Sequence, residues 1–496
     1  MDDRAQLLAV FVGVVSVLVL LYRKTHPLYA IPTIGPSAPL LSYIGAVRFI
    51  FNAQEMLREG YTKYKGSAFK IPLLDQWIVV INGPELVEEL RRYPDEEVSF
   101  TDAVTELLQS KWTLGLEVHK DPYHITLVRE KLTRSLTVLL PEVLDELDLA
   151  IKEFIPVQGD EWLSVPVLTS MQRIVARATN RIFVGLPKCR DDDYLDLVIN
   201  FTSAVIKGRT LINLFPTWMK PFVGSLISST KRSADRATKH LQPIIDAREA
   251  DFHKLGDSWD EKPNDMMMWL MDEARDKPDM LEAVVKRILV INFAAIHSSS
   301  SSVTHALYHL AENPSILYEI RQEVDPVIKE EGWTKASLAK LWKLDSFMKE
   351  SQRFNGLNGM ALTRMAMVDL TLSDGTRIPR GTILAAGATT MHHDGTIYTD
   401  PETFDPFRFY RLREEGGGMK HQFVSTRADY IPFGHGKHAC PGRFYAEHEL
   451  KAMLAYIIMN YDLKFENDAP RPKNQWIGST IIPEPNAHIL FRKRQK

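Results

Sequence analysis

Residues 7–22 read LLAVFVGVVSVLVLLY, a run of 16 positions without a charge. As a helix this run reaches ~24 Å at 1.5 Å per residue. That is short of a ~30 Å hydrocarbon core and nearer the ~27 Å of a thin bilayer such as the endoplasmic reticulum. No later uncharged run is long enough to span. Ile31-Pro32-Thr33-Ile34-Gly35-Pro36 reads as a stiff turn. Residues 67–82 are rich in strand formers, with turn signals on both sides. Helical periodicity dominates residues 84–355, with breaks expected at Pro122, Pro156, Pro187, Pro216 and Pro314. Alternation around Asp374-Gly375, within residues 368–390, predicts a small hairpin sheet. Residues 414–418 (EEGGG) predict a flexible loop. Helical patterning returns over residues 443–461. The pattern predicts a mainly α chain with small sheets at one side.

Charge orients the apolar run. Asp2, Asp3 and Arg4 precede it, and Arg23 and Lys24 follow it. The positive-inside rule then places the rest of the chain in the cytosol. A cleaved signal peptide is the competing reading, but it wants a positive leading segment, and here the order of charges is reversed. The expected organisation is an anchor over residues 1–25, a proline-rich hinge over 26–36 and a catalytic domain over 37–496. Length alone points elsewhere, since 496 residues suggest about three domains at ~150 residues each. With 45% hydrophobic and 25% charged residues the composition is ordinary globular, which excludes a disordered or disulfide-built chain. A formal net charge of −3 offers no electrostatic case for nucleic acid. The two cysteines, Cys189 and Cys440, match no zinc spacing.

The most informative stretch is Phe433-Gly434-His435-Gly436-Lys437-His438-Ala439-Cys440-Pro441-Gly442-Arg443. Its glycines allow a tight loop to approach something flat. The apolar stripe that follows (Phe444, Ala446, Leu450, Met453, Leu454, Ile457, Ile458) puts Cys440 at a helix N-terminus. Exposed N–H groups and the helix dipole there favour a thiolate. An anionic sulfur in a glycine-lined loop suits haem iron as an axial ligand. A phosphate loop is the competing reading of Gly434-x-Gly436, but no Gly-Lys-Ser/Thr follows.

The loop resembles the haem-binding signature of cytochromes P450, Phe-x-x-Gly-x-x-x-Cys-x-Gly, with Phe433, Gly436, Cys440 and Gly442 in its fixed places. Other motifs follow in the family's order. Glu350 and Arg353 lie three apart on one helical face, with Asp345 expected to cap that helix. His393-Asp394 and then Pro406-x-Arg408-Phe409 come before the cysteine loop. The resemblance implies a buried cluster of Glu350, Arg353 and Arg408. It also implies a P450 fold, preceded here by one transmembrane helix, and haem b as cofactor. Phe407 stands where the second motif often has an acid.

Residues 278–314 predict one apolar-rich helix of about 35 residues, roughly 50 Å long. The family usually carries Ala/Gly-Gly-x-acid-Thr at its centre. By this resemblance Ala295 takes the glycine place, His297 replaces the acid and Ser298 replaces the threonine. Serine keeps a hydroxyl for bound oxygen, and histidine shuttles protons near neutral pH. His305 and His309 have zinc-helix spacing but lack the adjoining glutamate. Met391-His392-His393-Asp394 is taken as a structural turn. For the haem carboxylates the family pattern points to His438 and Arg364, with His124 and Arg129 as candidates for a third partner.

The resemblance implies a monooxygenase that inserts oxygen into a lipophilic small molecule. The chain shows no nicotinamide or flavin motif, so the expected electron donor is NADPH–cytochrome P450 reductase, also in the endoplasmic reticulum membrane. Lys111, Lys120, Lys131, Arg134, Lys437 and Lys451 are the expected docking face. Substrate contacts are expected from residues 101–112, 201–222, 357–361 and 476–480. The wording of the motifs is similar to that of fungal enzymes related to ent-kaurene oxidase, which implies a terpenoid or indole diterpene of secondary metabolism. Two other classes compete: a P450-fold enzyme that isomerises, dehydrates or couples without net oxygen insertion, and a haem-binding sensor. The motifs join the middle and the end of the chain in one site, so one catalytic domain replaces the three suggested by length.

Overall fold

The structure is a computed structural model that describes residues 26–495, apart from 39, 216, 217 and 228, with residue 13 alone before them. The expected anchor (but for Gly13) and the break at Pro216 lie outside the described residues. Among the described residues no helix is long and apolar enough to cross a membrane.

The strand-rich segment folds as a hairpin of β1 (Ala68–Pro72) and β2 (Trp77–Ile81), paired antiparallel from Ala68 opposite Ile81 to Pro72 opposite Trp77. It begins a five-stranded sheet, β1-β2-β8-β5-β3, completed by β3 (Val98–Ser99), β5 (Met360–Ala366) and β8 (Ile383–Gly387). The hairpin expected around Asp374-Gly375 forms between β6 (Leu370–Thr371) and β7 (Arg377–Ile378) only. β8 instead lies parallel to β2 and joins the large sheet. Its burial pattern explains this: all five β8 residues are covered, as expected of a strand with both faces packed. β4 (Leu163–Pro166), β12 (His488–Lys493) and β9 (Tyr461–Lys464) form a second sheet in the order β4-β12-β9, and β10 (Gln475–Ile477) pairs with β11 (Thr480–Ile482).

The helical body follows its start and stop signals. α1 spans Ser42–Lys63. Gly83 and Pro84 open α2 (Pro84–Arg92), which carries Glu85 in its first turn and Arg91 and Arg92 in its last, matching the helix dipole. Ser99 caps α3 (Phe100–Leu108) by accepting the Asp102 N–H. Then come α4 (Thr133–Phe154), α5 (Val167–Phe183), α6 (Asp192–Asn213), α7 (Lys220–Leu226) and α8 (Ser229–Leu255). α9 runs unbroken from Met280 to Glu312, 33 residues, and ends before Asn313-Pro314, where proline disfavours a further helical residue. α10 (Pro314–Glu331), α11 (Trp342–Phe354) and α12 (Arg443–Asn460) complete the body. Ile288, Ile296, Val303 and Leu307 of α9 share one buried core with Ile174 of α5, Phe347 of α11 and Leu454 of α12. The long helix therefore passes through the centre of the molecule.

Two local expectations are corrected. Asp345 does not cap α11: the helix begins at Trp342, one turn earlier. Its buried carboxylate instead takes the Phe423 N–H at 2.9 Å and pairs with Arg413 and Lys451. Nor do residues 414–418 form a loose loop. Arg413–Gly417 wind into a wide turn held by that buried Arg413–Asp345 pair at 3.2 Å.

Candidate active site

The cysteine loop owes its shape to two left-handed glycines. Gly434 and Gly436 have φ of +71° and +76°, a region that costs other residues roughly 1–2 kcal/mol. A Cβ on Gly436 would also lie 2.3 Å from the Arg91 side chain of α2. The Cys440 N–H donates to the Phe433 carbonyl at 2.7 Å and closes the loop. α12 starts three residues later with Gly442 as its cap residue, so the helix-terminus expectation for Cys440 holds. The N–H groups of Gly442 and Arg443 and the Arg443 charge draw the thiol pKa down, but burial outweighs them and holds it above its ordinary value. A metal cation at the sulfur supplies the missing charge.

Cys440 faces a cavity of about 460 Å³ between the loop and the middle of α9. Ala294, Ser298, Ser299 and Ser302 of α9 form one wall, Phe433 and Gly434 the opposite one, and Leu357, Ala361 and Leu362 a third. No carboxylate lines it among the described residues. Arg364 and Arg129 are its two guanidinium groups.

The residues present fit a haem. Arg364 is buried, donates only to its neighbour's carbonyl on Thr363 at 2.8 Å, and lies over the Phe100 ring. Burial pulls its pKa down to about 10, and no carboxylate lies within ion-pair distance of it among the described residues. Such a cation calls for an anion, and a haem carboxylate is one. His438 stands on the same wall, its Nε2 2.7 Å from Asp95 and its ring stacked on Phe100 at 5.2 Å. Arg129 reaches the loop through the Lys437 carbonyl at 3.3 Å. His124 does not join them. It is buried off the cavity wall, and desolvation and the Arg287 charge pull its pKa down to about 4, so it is neutral and offers no positive charge.

The oxygen-site expectation holds in part. Ser298 lines the cavity, with its hydroxyl donating to the Ala294 carbonyl at 2.8 Å. The small cavity residue is Ala294; Ala295, expected there, packs against the core. His297 points away. Its Nε2 lies 2.9 Å from the Ile199 carbonyl of α6 and its Nδ1 3.3 Å from Gln172 of α5, and burial lowers its pKa. Both ring nitrogens are occupied, so the structure does not bring His297 to the cavity as a shuttle. Position on the helix explains the outcome: at ~100° per residue His297 falls on the side of α9 that packs against α5 and α6, while Ser298 turns to the cavity.

Glu350 and Arg353 pair doubly at 2.8 Å with no exposed surface, and Arg408 Nε reaches Glu350 at 3.2 Å. Arg353 also donates to the His392 and Pro401 carbonyls. The expected cluster is therefore formed. His305 and His309 are buried in the core: His309 stacks on Phe404 at 3.7 Å and His305 meets Arg471 at 2.9 Å. Among the described residues no group of three His, Cys, Asp or Glu is placed to hold a metal ion. Asp394 takes hydrogen bonds from Tyr61, Lys65 and Thr396, the structural turn expected.

Among the described residues of the expected substrate segments, only those of 357–361 reach the thiol cavity. Trp112 and Phe201 line a separate cleft of about 480 Å³ beside α8 and α9, and Trp476 another of about 770 Å³. Lys451 leaves the expected docking face, since it is buried between Asp345 and Glu447. Phe100 and Glu449 were missed. Phe100 follows the Ser99 cap signal and is placed by it. Glu449 lies on the stripe of α12 one residue before Leu450, where composition gives no hint of its burial.

A model of the Cytochrome P450 family matches residues 32–491. The chain is 50% identical over 490 residues to Cytochrome P450 monooxygenase 103 of Postia placenta, covering 98% of both chains. It is 47% identical over 498 residues to Cytochrome P450 monooxygenase 151 of the same fungus, covering 100% of both. Ent-kaurene oxidase of Gibberella intermedia is 30% identical over 456 residues, 90% of this chain and 85% of that one.

Proposed function

The chain belongs to the cytochrome P450 family and is a haem b-dependent monooxygenase; from that premise we propose that it oxidises a lipophilic terpenoid or indole diterpene with electrons drawn from NADPH through a reductase. One observation carries the reading: Cys440 and the hydroxyl-bearing face of α9 close on one cavity that also holds an apolar wall of Leu357, Ala361 and Leu362 and the cations Arg129 and Arg364. Bound there, haem supplies the reductive activation of O2 and the oxidant that attacks a C–H bond. Cys440 Sγ would hold the iron, and Arg364, Arg129 and His438 would hold the carboxylates. Leu357, Ala361 and Leu362 orient an apolar substrate and exclude water, and their placement selects the bond that reacts. Ser298 offers a hydroxyl at the α9 wall. The likeness to ent-kaurene oxidase supports a terpenoid substrate.

A membrane site is supported by exposed apolar surface. Leu40, Tyr43, Ile44 and Phe51 are exposed at one end of α1, and Leu211, Leu214, Trp218, Phe222 and Leu226 around α7. Both groups flank the β1–β2 turn: Gly45 packs beside Pro72, and Lys220 pairs with Asp75 at 3.1 Å. An apolar skin of this kind beside an N-terminal anchor suits a body half-sunk in the cytosolic face of the endoplasmic reticulum. Lys111, Lys120, Lys131, Arg134 and Lys437 are exposed and remain for reductase docking.

A second reading, rearrangement or coupling without net oxygen insertion, draws on the turned-away His297. Turnover of a terpenoid and indole-diterpene panel under 18O2, with reductase and NADPH, separates the two. The account predicts a product carrying one 18O atom. Unlabelled product favours rearrangement, and an untouched panel overturns the substrate class.

A further inference from the structure

We propose that the cleft between α1 and residues 471–476 binds a small phosphate-bearing molecule. The cleft holds about 770 Å³ and is separate from the thiol cavity, a volume within the range of small-molecule sites. One turn divides the two: Phe354 and Asn355 line the cleft, while Gly356 and Leu357 line the cavity.

The charges of the cleft do not balance. Four cations line it, Arg58, Lys65, Arg471 and Lys473, against two carboxylates, Asp394 and Glu402. Both carboxylates are engaged: Asp394 pairs with Lys65 at 2.7 Å, and Glu402 lies 3.2 Å from His393. Arg58 and Lys473 are exposed, and neither makes an ion pair or a side-chain hydrogen bond among the described residues. The surplus of two positive charges matches a phosphate dianion.

Arg471 is the built part of the site. Its guanidinium donates to neutral acceptors, His305 Nδ1 at 2.9 Å, Asn474 Oδ1 at 2.9 Å and the Pro472 carbonyl at 3.2 Å. Its Nε is buried and has no partner. Glu312 accepts the Arg471 main-chain N–H at 3.1 Å, yet no carboxylate lies within ion-pair distance of the guanidinium among the described residues. Burial pulls its pKa down to about 10, with Glu312 and Tyr308 opposing. A guanidinium can only donate, so it fixes the direction of the bonds behind it. Asn474 accepts through Oδ1, and its amide N–H then donates to Asn355 Oδ1 at 3.3 Å. Asn355 in turn donates to His309 Nε2 at 2.8 Å. Every donor in this chain points away from Arg471, so the network holds the guanidinium in place without supplying a counter-charge. Such a cation is costly until an anion enters the cleft. With Arg58 and Lys473 beside it, it forms the kind of donor set that phosphate oxygens accept from.

Calorimetric titration of the full-length haem-loaded protein with inorganic phosphate, against chloride at equal ionic strength, tests the site. Phosphate should bind saturably, one per chain, and chloride should not. Arg58→Ala combined with Lys473→Ala should weaken phosphate binding about tenfold, and Arg471→Leu at least as much. Lys207→Ala, at an exposed cation of α6 outside the cleft, should leave it unchanged. The carbon-monoxide spectrum reports whether each variant keeps its haem. Should Arg471→Leu fail to fold, the double variant decides, since both its side chains lie at the surface. Dihexanoyl phosphatidic acid presents the same phosphate on a lipid. Affinity no tighter than that of inorganic phosphate assigns a soluble ester, and tenfold tighter binding assigns a membrane headgroup. Absence of saturable binding of both probes, or binding that the double variant leaves untouched, overturns the site.

Discussion

Gly436 meets two demands at once, a left-handed backbone and the Arg91 side chain packed where a Cβ would stand. Gly436→Ala should lower the haem content of the purified protein several-fold, measured as pyridine haemochrome. Gly442 is different: its φ is −87° and an added Cβ would meet only Val128 at 3.6 Å. Its place in the signature has no steric account in this structure. Arg364 is the buried cation without a carboxylate partner, so Arg364→Leu should speed haem loss to apomyoglobin by about tenfold, the share of one charge-assisted contact. These residues were legible in the sequence because loop chemistry depends on residue type at fixed spacing. His124 and His297 were not. Each sits beside a residue that does reach the cavity, Ile125 and Ser298, and which of two helical neighbours turns inward is set by packing against other elements.

The cluster of Glu350, Arg353 and Arg408 ties α11 to the segment that leads into the cysteine loop. Removing one partner leaves a buried guanidinium unpaired. Glu350→Ala should therefore destabilise the fold by about 3–5 kcal/mol, read as a lower urea midpoint at unchanged slope. At this scale most of the architecture was legible. Prolines 122, 156 and 187 fall between helices, Pro314 opens α10, and α9 has nearly the expected length. What was hidden depends on distant partners. Asp345 carries a capping residue type, yet its position is dictated by Arg413 and Lys451, more than 60 residues away. β8 reads locally as a hairpin strand, and only β2, some 300 residues earlier, draws it into the large sheet.

For the whole molecule, the apolar skin on α1 and around α7 predicts membrane attachment in addition to any made by the anchor proposed over residues 1–25. Removing residues 1–25 should leave a chain that still floats with vesicles. Adding Trp218→Ser, Phe222→Ser and Leu226→Ser should weaken that binding by about a hundredfold or more, since three side chains each giving up about 1 kcal/mol, a part of the 1.5–3 kcal/mol of full withdrawal from water, already amount to that. The central claim is narrower: Cys440 is the iron ligand, and the rest of the chain buries and serves it. The carbon-monoxide difference spectrum of the reduced protein tests this most directly, with Cys440→Ala and Cys189→Ala measured beside the wild type. The account predicts the red-shifted Soret band of thiolate ligation in the wild type and in Cys189→Ala, and its loss in Cys440→Ala. A thiolate-type band that survives in Cys440→Ala would contradict it.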